Sequence, residues 1–290
     1  MAASLAPSPA GRGVFQTPRT ASLALAVAVT SVSIASGQSM LMEVMTRHGV
    51  QLPGGSYERA FDEGMRPATP VNPGSFATPL AVMTSTTGGD RIDAAFAFGI
   101  LAGHSGRAAS PQELAAAGQA LAQMIAADDR RTRIAGARVA GRIFAVPFDT
   151  RPGAVTTPGL ADALFALFNR SNEIEQLAAM DALGLMRQVS AVASLTERYQ
   201  FYRQTNKRAL AGGALEALAR IGDPSSLAIA NAVATDTWSE GRDSTALAVA
   251  FARERLLRDG SIAIIRQAID DRSRRAQALG YLAELGLAAP

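Results

Sequence analysis

The stretch Asn206–Asp236, NKRALAGGALEALARIGDPSSLAIANAVATD, most constrains what this chain can fold into. Leu210, Ala214, Leu215, Leu218 and Ile221 recur at helical spacing and predict one apolar stripe. Gly222 follows the last of them, where a left-handed helix end favours glycine. Asp223 then offers an oxygen to the free N–H groups of a second helix. Pro224 occupies its first position, where the missing donor costs nothing. Leu227, Ala230, Val233 and Ala234 continue that helix towards Asp236. The stretch reads as a helical hairpin with a tight turn.

Composition extends this reading to the rest of the chain. Hydrophobic residues make up 48% and aromatic residues only 6%, so the apolar content is mainly Ala, Leu, Val and Ile. That balance favours helices packed through small side chains over a β-sandwich. With no cysteine, disulfides, thiolate metal sites and a cysteine nucleophile are excluded. The formal charge of +3 includes Arg12 and Arg19, which lie in a segment read below as removable. The remainder has 26 basic and 25 acidic residues, a net charge of +1, which argues against nucleic acid as a partner.

Residues Met1–Gly37 have the layout of an export signal: Arg12 and Arg19, an apolar run Ala21–Val29, and small residues Ala35-Ser36-Gly37 before Gln38. The expected location is periplasmic or extracellular. An uncleaved segment tethering the chain to a membrane is the alternative, although the apolar run is short for a span of ~20 residues. Residues 38–89 are dense in Pro and Gly, at Leu52-Pro-Gly-Gly55, Pro67–Pro70 and Asn72-Pro-Gly74. They read as a flexible arm or linker with short helical turns at Met40–Arg47 and Ser56–Met65.

From Asp90 to the C-terminus, residues 90–290, the texture is helical throughout. Helices are expected at Asp90–Leu101, from Ser110-Pro111 to Asp128-Asp129, and at Arg131–Ala145. They resume at Gly159–Phe168, Asn172–Arg187 and Val189–Arg203, and after the opening hairpin at Ser244–Leu257, Ser261–Ile269 and Ser273–Leu285. Met180-Asp-Ala-Leu-Gly-Leu-Met186 resembles Ala214-Leu-Glu-Ala-Leu-Ala-Arg220, at a spacing within the range of solenoid repeats.

Arg208-Ala-Leu-Ala-Gly-Gly-Ala-Leu-Glu-Ala-Leu-Ala-Arg-Ile-Gly-Asp-Pro224 is similar to the HEAT-like repeat, particularly the short variety of phycobilin lyases. The likeness is close at Arg208–Pro224, moderate at Glu173–Leu195 and weak elsewhere. It implies an all-α, right-handed α-solenoid of stacked hairpins. For function it implies a scaffold or binding surface, with bilin-lyase-type chemistry as the alternative. No residue set carries a lyase mechanism across by position.

No constellation for catalysis or a cofactor emerges. His48 and His104 lie in unrelated contexts, and Met40, Met42, Met45 and His48 read as an apolar helical turn before they read as a soft copper site. Gly103-His-Ser-Gly106 lacks the spacing and the preceding strand of a nucleophile turn. Carboxylate pairs such as Asp128/Asp129 and Asp270/Asp271 fall at helix junctions, where they favour helix starts. The candidate interaction surface is Arg198, Tyr199, Tyr202, Arg203, Lys207 and Arg208, with Trp238 in an irregular insertion. For the same segment, core packing would turn Phe201 inward and leave the tyrosines over a boundary between helical pairs. The expected role is a non-catalytic, cofactor-free scaffold or adaptor of the cell envelope that binds a protein or peptide. A HEAT-like nucleic-acid binder would need a continuous arginine-rich stripe.

Overall fold

The computed structural model describes residues 37–103, 109–150, 157, 159–235 and 243–287. The described residues form helices and no strand. In chain order these are α1 (Gly37–Arg47), α2 (Tyr57–Asp62), α3 (Ala77–Ser85), α4 (Gly89–Ala102), α5 (Pro111–Ile125), α6 (Arg130–Ile143) and α7 (Leu160–Phe168). They continue as α8 (Glu173–Leu185), α9 (Val192–Gln204), α10 (Arg208–Ile221), α11 (Leu227–Ala234), α12 (Ser244–Leu257), α13 (Ile262–Gln267) and α14 (Arg275–Glu284).

The starts and stops follow local chemistry. Ser110 caps α5 in a reciprocal pair with Glu113, and Pro111 sits at the first helical position. Asp129 accepts from the Thr132 N–H at 2.8 Å to open α6. Asp223 is a cap, accepting from the Ser225 N–H at 2.9 Å, and Gly222 ends α10 in the left-handed conformation at φ 68°.

Helices pack in consecutive pairs: α3 on α4, α5 on α6, α7 on α8, α9 on α10, α11 on α12 and α13 on α14. The second members also pack on one another in order, from α4 through α6, α8, α10 and α12 to α14. Helices α8 and α10 begin 35 residues apart. The same offset separates the 3-10 turns Val189–Ala191 and Pro224–Ser226, and the starts of α9 and α11.

This row of even-numbered helices is held by backbone-to-backbone approach. A Cβ added at Gly141 would lie 2.8 Å from the Cα of Ala182, and one at Gly184 would lie 2.8 Å from the Cα of Ala217. No side chain can rotate away from such a contact, because the obstacle is the neighbouring helix itself. Buried ion pairing adds to it. Arg133 of α6 donates to Glu175 of α8 at 2.6 Å and to the Ala127 and Asp128 carbonyls that end α5. Removing one partner of such a pair costs about 3–5 kcal/mol.

Arg187 stands 35 residues before Gly222 and shares its left-handed backbone, at φ 49°. For a residue with a Cβ this costs about 1–2 kcal/mol. The side chain offsets that cost by donating to the carbonyls of Phe148 at 2.8 Å, Thr150 at 2.6 Å and Ile221 at 3.1 Å. It thereby ties the chain after α6 to the end of α10.

Residues 38–89 depart from the flexible arm that their Pro and Gly content predicts. Leu41, Met45, Tyr57, Phe61, Phe76 and Met83 are buried in the same core as α4. The Phe61 ring lies 5.2 Å from Phe96, and Phe76 lies 5.3 Å from Phe98. The prolines do not break this packing because of where they sit. Pro53 and Pro73 open 3-10 turns and Pro79 lies in the first turn of α3, positions that require no N–H donor. The proposed export signal lies outside the described residues except for Gly37, and its cleavage point before Gln38 falls in the first turn of α1. No helix among the described residues is long and apolar enough to cross a membrane.

Two glycine substitutions separate close packing from helix propensity. Gly184→Val is expected to destabilise the fold by about 2 kcal/mol or more, since overpacking costs about 1–3 kcal/mol and α8 has no room to yield. Gly280→Ala in α14, where an added Cβ meets no atom within 4 Å, is expected to stabilise by about 0.5–1 kcal/mol. Urea unfolding midpoints measure both.

Candidate functional site

On α10 the residues Ala209, Gly213, Glu216 and Arg220 share one stripe, opposite the buried stripe of Ala211, Leu215 and Leu218. Leu177 and Asp181 of α8 and Gln277 of α14 adjoin that stripe, and together these residues line a cavity of about 260 Å³. Gly213 keeps it open, because an added Cβ would lie 2.7 Å from Leu177 Cδ2.

Arg220 is the hub of the site. Its Nε and Nη2 donate to the two Glu284 oxygens at 2.8 and 2.9 Å, a bidentate pair, and its Nη1 donates to Asp181 Oδ1 at 2.7 Å. Glu216 Oε2 lies 3.5 Å away, one helical turn back. Glu216 Oε1 accepts from Gln277 Nε2 at 3.2 Å and, in a shorter contact, from the Tyr281 hydroxyl. Tyr281 stacks on Phe251 of α12 with ring centroids 4.3 Å apart. One guanidinium therefore joins α8, α10 and α14, with three carboxylates around it.

Burial sets the protonation preferences here. Burial raises Glu216, and the nearby Asp181 and Glu284 add to that, while Arg220 and the Tyr281 hydroxyl partly offset it. Burial also raises the Tyr281 phenol well above its ordinary value, and Glu216 reinforces the shift. For Arg220 burial works against the charge, but Asp181, Glu284 and Glu216 outweigh it and hold the group well above the ordinary arginine value.

A second cavity, of about 240 Å³, lies beside the first and shares Arg220 with it. Its walls are Val146, Pro147, Phe148 and Leu185, with Arg187, Arg255 and Glu284. Two guanidinium groups lie against Phe148: Arg187 is 4.6 Å from its ring centroid, and Arg255 lies over the ring.

The residues singled out in the sequence fall elsewhere, on α9 and the start of α10. Tyr199 and Tyr202 are buried, and the Tyr202 hydroxyl donates to Gln176 at 3.1 Å. Phe201, expected inside, is 46% exposed, so the helix presents the opposite side from the one that core packing predicts. Arg198 donates to Asn169 at 3.3 Å, Lys207 pairs with Glu173 at 3.1 Å, and Arg208 pairs with Asp243 at 2.8 Å. Tyr199 and Arg203 line a groove against Ala228, Ile229 and Ala232 of α11. The structure thus places Arg198, Tyr199, Tyr202 and Arg203 on α9, apart from the Arg220 cavities, and Lys207 and Arg208 at the start of α10. Trp238 and the residues 104–106 of the glycine-histidine turn lie outside the described residues.

The methionine-histidine cluster does not converge. Met45 and His48 are buried, whereas Met40 and Met42 are 45% and 41% exposed. His48 Nε2 is 2.6 Å from the Ser75 hydroxyl, a pairing across 27 residues that spacing gave no sign of. Its Nδ1 has no hydrogen-bond partner among the described residues. Among the described residues no group of three His, Asp or Glu is placed to hold a metal. No protein-family model, curated protein or solved structure matches the chain.

The raised Glu216 carboxyl has a signed consequence. The folded chain holds this proton more tightly than the unfolded chain, so ionising Glu216 costs stability as pH rises above the ordinary glutamate value of about 4.3. Relative to Glu216→Gln, the native chain is expected to lose stability on going from pH 4 to pH 7. Urea midpoints of the two proteins at both pH values measure the difference. A gain by the native chain would show that the fold favours the ionised form.

Proposed function

We propose that this chain is an α-solenoid of HEAT-like hairpins that serves as a non-catalytic scaffold, binding a protein or peptide segment along the face of α8, α10, α12 and α14. The observation that carries this reading is the pair of adjoining cavities that flank Arg220 on the even-numbered row. Their apolar walls and charged rims suit side chains of an extended partner, and repeat arrays recognise ligands along an extended surface of stacked units. The 35-residue offset between α8 and α10, and between α9 and α11, supports the repeat reading. The carboxylates of the site support a binding role, since each is engaged by Arg220 or Tyr281.

The same reading places the mature protein outside the cytoplasm, after removal of residues 1–37. A chain beginning at Gln38 keeps Leu41 and Met45, the buried residues of α1.

Affinity capture from the native envelope tests the scaffold role. Ala209→Trp fills the first cavity from an exposed position on α10, and is expected to lower recovery of the captured protein at least tenfold. Gln200→Trp, exposed on α9 in the other layer, is expected to leave recovery unchanged. Consistent co-elution of a small molecule with no enriched protein would overturn the reading. Mass spectrometry of the mature N-terminus is expected to find Gln38, and an intact Met1 in the membrane fraction would indicate a tether instead.

A further inference from the structure

Three guanidinium groups line the second cavity, and two are saturated. Arg187 is committed to backbone carbonyls, and Arg220 to Asp181 and Glu284. Arg255 differs. It is half-buried, lies over the Phe148 ring, and makes no hydrogen bond or ion pair among the described residues. Glu284, the nearest acid, already gives both oxygens to Arg220. The Arg255 N–H donors therefore remain available in the planar fork that matches a carboxylate.

We propose that Arg255 and Phe148 form a receptor for a carboxylate carried on a short apolar stem, with Arg255 holding the anion and Val146, Pro147 and Leu185 holding the stem. The cavity of about 240 Å³ suits a group the size of one amino-acid residue. Apolar walls on one side and donors on the other match that amphipathic shape. Glu284 at the rim disfavours a dianionic phosphate, which would bring two negative charges beside it. Burial, followed by the neighbouring Arg187, depresses the Arg255 guanidinium to about 10, and an incoming anion relieves that penalty.

This inference deepens the scaffold reading, since the carboxylate would belong to the bound segment, as its C-terminus or an acidic side chain. It is tested without any partner. N-acetyl-leucine carries a C-terminal-type carboxylate, and N-acetyl-glutamic acid α-amide carries a side-chain one. Each is titrated into the purified chain while the Arg255 Nε–H resonance, assigned from its loss in Arg255→Lys, is followed by 1H–15N NMR. At least one acid is expected to shift it saturably, and the tighter one identifies the source. N-acetyl-leucinamide, which lacks the carboxylate, is expected to leave the resonance unmoved. Arg255→Gln and Phe148→Leu are expected to weaken binding about tenfold or more. Equal shifts with acid and amide, no shift with either acid, or tighter binding of inorganic phosphate would overturn the proposal. Failure here with Ala209→Trp still blocking capture would leave the scaffold reading standing. Success here with capture unaffected would overturn that reading alone.

Discussion

Everything else in this fold depends on the closeness with which one even-numbered helix lies on the next. Gly141 against Ala182 and Gly184 against Ala217 let two helix backbones meet where any larger residue would separate them. Once the backbones touch, the rest of each helix has little choice. Leu183, Leu215 and Leu218 are driven inward, and the stripe of Asp181, Glu216 and Arg220 is left on the outer side.

Arginine supplies the specificity that small-residue packing lacks. Glycine and alanine contacts are smooth and say little about register. Arg133, Arg187 and Arg220 each reach across at least two elements and require particular acceptors at fixed distances. A planar guanidinium does this well, since its donors engage several acceptors in one plane. Arg187 is instructive, because its left-handed backbone would suit glycine better, and glycine is what stands 35 residues later at Gly222. The strain is tolerated there because the side chain collects carbonyls from the segment after α6.

Much of the helical layout was legible in the sequence because it is written in local signals. Ser110-Pro111, Asp223-Pro224 and Gly222 announce helix boundaries by chemistry confined to a few residues. Residues 38–89 depart from expectation because the same proline signals a break or a helix start depending on its place in the first turn. Tyr57, Ala60 and Phe61 do stand at helical spacing, but over one short helix only, and Phe76 lies 15 residues further on. The cavities around Arg220 were illegible for a different reason. Asp181, Glu284 and Phe148 lie 39, 64 and 72 residues from it, and only helix stacking brings them together. The available hint was that Asp181 and Glu216 stand 35 residues apart, the offset at which α8 and α10 begin. The aromatic and basic run at α9 drew attention instead, yet its tyrosines are core and several of its charges are paired within the fold.

The stacking register of the even-numbered helices is the claim on which the rest stands, and the absence of cysteine makes it directly measurable. An ideal Cβ at Gly212 of α10 lies 3.6 Å from Ala248 Cβ of α12, within the ~3.5–4.5 Å that a disulfide spans. The double substitution Gly212→Cys with Ala248→Cys therefore tests the register in an otherwise thiol-free chain. After oxidation, mass spectrometry of the denatured, alkylated protein is expected to find one intrachain bridge and no free thiol. Two alkylated cysteines, or bridges only between chains, would contradict the stacking described here.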